Sequence, residues 1–356
     1  MDFAKFFGLN PGISIFLKFL EKFAIFLESV DNIILVNTFD LVMFLKLQYK
    51  SGFLLNNLIF LFLIVLEPPL QQIKQIISYI PKNFSSSQFP NNLVFKPSKK
   101  SISKVALLTG CVQKAISPNI NDASINVLLR HGIEVHILKE VKCCGSLTHH
   151  LGKENISHKY FIENINAWYS LYEKHKIDAI LVNTSGCGTT IKDYGFIFKN
   201  HPDKLLRKKA KLVSDIALDI TEYLEESIKL DFTRSNHTKR YNIAYHSACS
   251  MQHGQKVHNQ PIELLKKTGN NILEVPDGHL CCGSAGTYNL LQDELASELL
   301  KRKCENIKKV KPDIIAAGNI GCINQIANGI EIPIVHTIEL IDWFTGGKKP
   351  SGLNRL

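Results

Sequence analysis

Cys143-Cys144-Gly145-Ser146-Leu147 and Cys281-Cys282-Gly283-Ser284-Ala285 decide the fold, because each sits inside the same longer pattern. Cys111 precedes the first pair and Cys187 follows it; Cys249 and Cys322 flank the second. The step from the single cysteine to the pair is 32 positions in both copies, and the step from the pair to the last cysteine is 43 against 40. A glycine precedes the last cysteine in each copy (Gly186, Gly321), and an aspartate lies nine positions before it (Asp178, Asp313). Eight of the nine cysteines fall into this register, so the chain reads as an internal repeat before any single residue is weighed.

The surroundings of the cysteines repeat as well. Val105-Ala106-Leu107-Leu108-Thr109 reads as a buried strand ending at Gly110-Cys111. Pro118 to Arg130 has helical spacing, with Ile125, Leu128 and Leu129 on one side and Gly132 as a stop. Strands are expected at Ile133–Leu138 and Asp178–Asn183, separated by an amphipathic stretch from Lys153 to Lys174. In the second copy the order returns: strand Asn242–His246, helix Pro261–Lys267, strand Asn271–Val275, helix Leu290–Lys308, strand Asp313–Ala317. Strand alternating with helix is the pattern of a parallel α/β layer. The expected fold is α/β: two repeated cysteine-rich parallel-sheet domains, 101–235 and 236–356, preceded by an apolar helical region and linker over 1–100.

That first region holds neither cysteine nor histidine up to residue 83. Its most apolar stretch, Phe53 to Leu66, falls short of the roughly 20 residues a spanning helix needs. It reads as a buried or interfacial helix, with a further short helix at Ile73–Ile80. Polar, proline-containing segments from Ser85 to Pro90 and from Pro97 to Ser103 read as linker. The start, Met1-Asp2-Phe3, lacks the order of a signal peptide, so a reducing cytoplasm is the expected compartment. Peripheral contact with the inner face of the cell membrane is left open. The formal net charge of +10 is spread along the chain, in runs such as Lys204 to Lys211, without interleaved aromatics. It reads as a solvated surface, and no nucleic-acid partner is expected.

Clustered thiols in a reducing compartment point to metal or redox chemistry. Each cysteine or pair follows an expected strand, at the sheet edge where α/β folds bind ligands. Three loops of one repeat thus offer four thiolates: Cys111, Cys143, Cys144 and Cys187, or Cys249, Cys281, Cys282 and Cys322. Thiolates hold both iron–sulfur clusters and structural zinc. Adjacent cysteines suit a site with more than one metal, whereas a single zinc more often uses a C-x-x-C knuckle. Iron–sulfur ligation is the leading reading, ahead of zinc at one or both sites and of a metal-free dithiol. Cys304, outside the register, is taken as an ordinary structural or partly exposed thiol. His149, His150, His246, His253 and His336 stand near the loops, where a lone histidine is more often a satisfied polar residue than a ligand. Gly283-Ser284-Ala285-Gly286 lacks a dinucleotide-binding frame, and there is no Walker sequence or nucleophilic triad.

The doubled pattern resembles the CCG cysteine-rich domain of heterodisulfide reductases, of lactate-utilisation iron–sulfur proteins and of the anchor component of glycerol-3-phosphate dehydrogenase. It also occurs in the glycolate oxidase iron–sulfur subunit. Leu107 to Gln113, Cys143 to Gly152, Asn183 to Gly188 and Cys281 to Tyr288 are most similar to the last of these. The resemblance implies an electron-transfer subunit of a glycolate dehydrogenase (glycolate oxidase) complex. A flavin-containing subunit would oxidise glycolate to glyoxylate, and electrons would pass to a quinone or other membrane acceptor. The eight register cysteines would ligate clusters, 4Fe-4S in type, and no residue would act on substrate. The resemblance is incomplete in two respects. Heterodisulfide reductase motifs end in C-x-x-C, whereas each copy here ends in one cysteine. Family members normally begin with a ferredoxin-like module, whereas no C-x-x-C occurs in this chain, which implies either a separate ferredoxin-like protein as partner or a truncated reading frame.

Overall fold

A five-stranded sheet and a four-stranded sheet carry the two repeats, with strand orders β1-β3-β2-β4-β5 and β7-β6-β8-β9. The strands are β1 (Val94–Phe95), β2 (Ser103–Leu108), β3 (Ile133–His136), β4 (Ala179–Val182), β5 (Ala217–Asp219), β6 (Asn242–His246), β7 (Asn271–Leu273), β8 (Ile314–Ala317) and β9 (Ile334–His336). The computed structural model describes residues 87, 89, 93–234 and 239–354, all within the unit Gln71–Leu356. The helices expected at Phe53–Leu66 and Ile73–Ile80 lie outside the described residues. Apart from β1, which pairs antiparallel with β3, every pairing is parallel. The two sheets therefore share one topology, in which the central strand of each leads to the first cysteine.

Period-two alternation explains the burial. In β2, Val105 and Leu107 face a core that runs on into the second repeat, while Ala106 and Leu108 face one holding Phe161, Ile165 and Trp168. β4 alternates in the same way, Ala179 and Leu181 against Ile180 and Val182. Both faces are covered, as parallel strands require. The aspartates of the register close the opposite edge of each sheet. Asp178 Oδ2 accepts from the Lys104 N–H at 3.0 Å, and Asp313 Oδ2 from the Asn242 N–H at 2.7 Å. Their recurrence is thus a matter of strand alignment, far along the strands from the cysteines.

The repeats share a core and exchange helices. The helix Pro118–Arg130 of the first packs on Thr337–Phe344 of the second, and Gln260–Lys267 of the second packs on Ile220–Ser227 of the first. These are equivalent pairs, so the junction is pseudo-symmetric. Arg130 ties it by donating to Asp342 Oδ1 at 2.7 Å and to Thr345 Oγ1 at 2.8 Å. Arg130→Ala is expected to cost about 3 kcal/mol, because it strands a buried carboxylate. Burial already holds the Asp342 carboxyl above its ordinary range against the pull of Arg130. Without Arg130 it rises further, so the deficit should be largest at neutral pH and shrink as acid protonates Asp342. Urea denaturation of both proteins at two pH values measures this.

Several local expectations are corrected. Val94–Phe95, assigned to the N-terminal region, is an edge strand of the first sheet, and Phe89 meets Phe95 edge to face with ring centroids 5.1 Å apart. The lysine run at 204–211, by contrast, keeps its solvated reading: it lies on a helix, Lys204–Asp215, that buries Leu206, Ala210 and Val213 and leaves Lys204, Lys208 and Lys211 exposed. The helix expected at 290–308 breaks at Gln292 into Tyr288–Leu291 and Asp293–Lys309. No helix among the described residues is long and apolar enough to cross a membrane.

Candidate metal centres

The first set gathers from three loops. Cys111 opens the helix Cys111–Ile116 directly after β2, Cys143 and Cys144 lie between β3 and the short helix Ser146–His150, and Cys187 sits in the first turn of Ser185–Lys192. The sulfurs of Cys111 and Cys143 are 3.6 Å apart, and those of Cys144 and Cys187 are 3.0 Å apart. The second set repeats this. Cys249 precedes the π-helical turn Ser250–Gln255, Cys281 and Cys282 follow β7, and Cys322 lies in the first turn of Ile320–Ala327. Cys249 and Cys281 sulfurs are 3.9 Å apart. All eight register cysteines thus fall into the two expected groups, and all are free thiols.

The glycine after each pair is required by packing. Gly145 has φ +78°, and a Cβ there would lie 2.5 Å from the Phe161 ring. Gly283 has φ +91°, and a Cβ there would run into the backbone carbonyl of Ala296. Only glycine takes this left-handed turn with a helix so close. The turn aims the glycine N–H back at the pair: Gly145 N donates to Cys143 Sγ at 3.4 Å, and Gly283 N to Cys281 Sγ at 3.3 Å.

The electrostatics repeat too. Hydrogen bonds from Cys111, then Cys144, hold the Cys143 thiol down to about 3. Cys249 and Cys282 do the same for Cys281, to about 2. The donors Cys111, Cys144, Cys249 and Cys282 are pushed up, first by those same bonds and then by burial. Cys322 is lowered to about 6, first by Cys282 and further by His246. Four crowded sulfurs with buried members cannot all ionise without a cation among them. The donor set fits a thiolate-bound metal or cluster, and no sulfur pair lies at the bonding distance of about 2.05 Å.

The elements that carry the two groups meet at the junction of the repeats. Ser185, heading the Cys187 helix, pairs its hydroxyl with that of Ser250 at 2.8 Å, and its carbonyl accepts from Gln255 Nε2 at 2.9 Å. Asn319 caps the Cys322 helix through its Oδ1 and donates from Nδ2 to Ser185 Oγ at 2.9 Å. The side chain of Leu147, after the first pair, packs against Gly286, after the second.

A family model described as "Cysteine-rich domain" (CCG) matches residues 105–192 and 243–327, the segments that carry the two groups. The chain belongs to the CCG cysteine-rich domain family. It is 38% identical over 239 residues to the "Glycolate oxidase iron-sulfur subunit" of Escherichia coli K12, a match covering 67% of this chain and 57% of that one. To "Lactate utilization protein A" of Oceanobacillus iheyensis it is 26% identical over 246 residues, covering 67% of this chain and 96% of that one. The chain thus spans little more than half the length of the Escherichia coli relative. A hypothetical protein from Helicobacter pylori aligns over 80% of this chain and 55% of its own, with TM-score 0.46 and 10% identity, too slight a likeness to carry an argument.

Around the CCG cysteines stand residues that the repeat pattern does not reveal. Asn164 and Tyr194 donate to the carbonyls of Cys143 and Cys144, at 2.8 and 2.7 Å, and so fix the first pair. In the second repeat Lys303, only 2% exposed, reaches the Asp277 carbonyl at 3.1 Å. Burial lowers its ammonium, while the nearby Cys282 and Cys281 favour the charge. Its neighbour Cys304, expected to be structural or partly exposed, is buried against Gly329. Among the histidines, His253 approaches the His279 carbonyl at 3.3 Å, and His336 caps its own helix. His149 has a buried Nδ1 without a hydrogen bond and stacks near Phe161 and His150. His246 is the histidine drawn into a cysteine group: a ring nitrogen and the sulfurs of Cys282 and Cys322 lie within 4.8 Å of one another.

Proposed function

We propose that the chain is the iron–sulfur electron-transfer subunit of a glycolate dehydrogenase complex. The observation that carries this reading is the duplication of one four-thiol group at a common junction, in a chain 38% identical to a glycolate oxidase iron-sulfur subunit. Cys111, Cys143, Cys144 and Cys187 would hold one cluster, and Cys249, Cys281, Cys282 and Cys322 the other. Clusters of the 4Fe-4S type suit groups of four thiolates. Bound there, they supply one-electron redox chemistry.

The residues around them insulate and orient. Buried Cys144, Cys282 and Cys322 keep water from part of each group, and the Gly145 and Gly283 N–H groups donate to sulfur, which favours the reduced, more negative state. Oxidation of glycolate to glyoxylate releases two electrons and two protons, which a flavin subunit would take together. Two one-electron centres side by side would accept the electrons singly and hand them on, through a ferredoxin-like carrier if needed, to a quinone or another membrane acceptor. The expected location is cytoplasmic, peripheral to the membrane that holds the acceptor.

A second reading replaces glycolate by lactate. It is favoured by the match to lactate utilization protein A, which runs over 96% of that protein. The two are separated by purifying the tagged full chain anaerobically with its flavoprotein and adding each acid. Glycolate should bleach the visible iron–sulfur absorption. Bleaching by lactate alone would transfer the assignment, and no bleaching by either acid would refute both.

A further inference from the structure

We propose that His246 is a nitrogen ligand of the iron–sulfur cluster in the second repeat, so that the two centres differ in donor set. This rests on the iron–sulfur reading above and adds a residue to it. His246 is the last residue of β6, three positions before Cys249. It is 2% exposed, its Nε2 is buried without a hydrogen bond, and a ring nitrogen lies within 4.8 Å of the Cys282 and Cys322 sulfurs. A buried imidazole nitrogen without a hydrogen bond costs about 1–3 kcal/mol, and an iron shared with the neighbouring Cys282 and Cys322 sulfurs would satisfy it. Imidazole is an established donor to iron beside thiolate.

Among the described residues, the first repeat has no histidine at the matching place and none grouped with its cysteines. The equivalent position, three before Cys111, is Leu108, which packs with Phe161 and Trp168. The first centre is therefore all-thiolate and the second mixed. With His246 the second group offers five donors to the first group's four; an imidazole that takes an iron in place of one of the four thiolates removes a negative charge, so that centre takes an electron at the higher potential. Electrons would then run from the first repeat to the second.

The test uses the full chain grown with ring-15N histidine, purified anaerobically, reduced, and studied by pulsed electron paramagnetic resonance. Cys144→Ser isolates the second centre. A strong 15N coupling is expected in the wild type and in Cys144→Ser. It should vanish in His246→Cys, which keeps a ligand and therefore its iron, and the second centre's midpoint potential should fall in that variant. An iron–sulfur signal from the second repeat without 15N coupling would overturn the proposal, as would a coupling that survives His246→Cys or iron confined to the first repeat. Absence of iron from both repeats would instead defeat the functional reading on which it stands. The labelled wild type answers the question even if His246→Cys misfolds.

Discussion

Cys144→Ser is expected to remove the iron of the first repeat and Cys282→Ser that of the second, each protein keeping about half the wild-type content. Both thiols are buried, at 4% and 1% exposure, and each links its neighbour in the pair to the last cysteine of its group. A serine hydroxyl is a far poorer donor to iron than a thiolate, and its shorter side chain withdraws from the cluster. Because metal binding and folding are coupled, the emptied repeat should also lose stability, while the other keeps its signal. Cys304→Ser is the control. Its sulfur is buried but faces Gly329, away from both groups, so iron should be unchanged. Iron and sulfide analysis of the three variants decides the matter. Unchanged iron in both Cys144→Ser and Cys282→Ser would remove these cysteines from any ligand set.

Gly283→Ala should destabilise the chain by about 3 kcal/mol or more, a large part of the 5–15 kcal/mol typical of a domain. Two costs add. A non-glycine residue at φ +91° is strained by about 1–3 kcal/mol. Its Cβ also drives into the Ala296 carbonyl, backbone within Asp293–Lys309 that cannot rotate aside, and such overpacking costs about 1–3 kcal/mol. Gly145→Ala should cost less, because the nearest atoms there belong to the Phe161 side chain, which has some freedom to yield. Denaturant midpoints of the two variants check the order, and equal values would show that the helix behind Gly283 gives way.

The repeat was legible because it is written in residue types rather than in propensities. Register cysteines, the CCG glycines and the spacing of 32 survive any uncertainty over where an element ends. Central strands were legible for a related reason: Val105 to Leu108 and Ile314 to Ala317 are continuous apolar runs, as doubly covered parallel strands must be. Of the four edge strands only β7 was expected. β1, β5 and β9 are only two or three residues long, too short to show a period. The Lys204–Asp215 helix was masked by its lysines, since three buried residues on one side suffice to seat it.

Within the site, the sequence named the ligand candidates but not their supports. Asn164, Tyr194 and Lys303 lie 20, 50 and 21 positions beyond Cys144 or Cys282 and share no motif with them. His246 was visible as a histidine near a cysteine, but its significance depends on Leu108 standing at the matching place. Only comparison of the two folded repeats makes that difference a chemical one.

The central claim is that the duplicated thiols hold redox-active clusters. It is tested most directly by measuring iron, zinc and acid-labile sulfide on the anaerobically purified chain, with an electron paramagnetic resonance spectrum after reduction. Iron and sulfide in near-equal amounts, with a signal that appears on reduction, are predicted. Zinc without sulfide, in colourless protein, would contradict the claim and leave the cysteines a structural role.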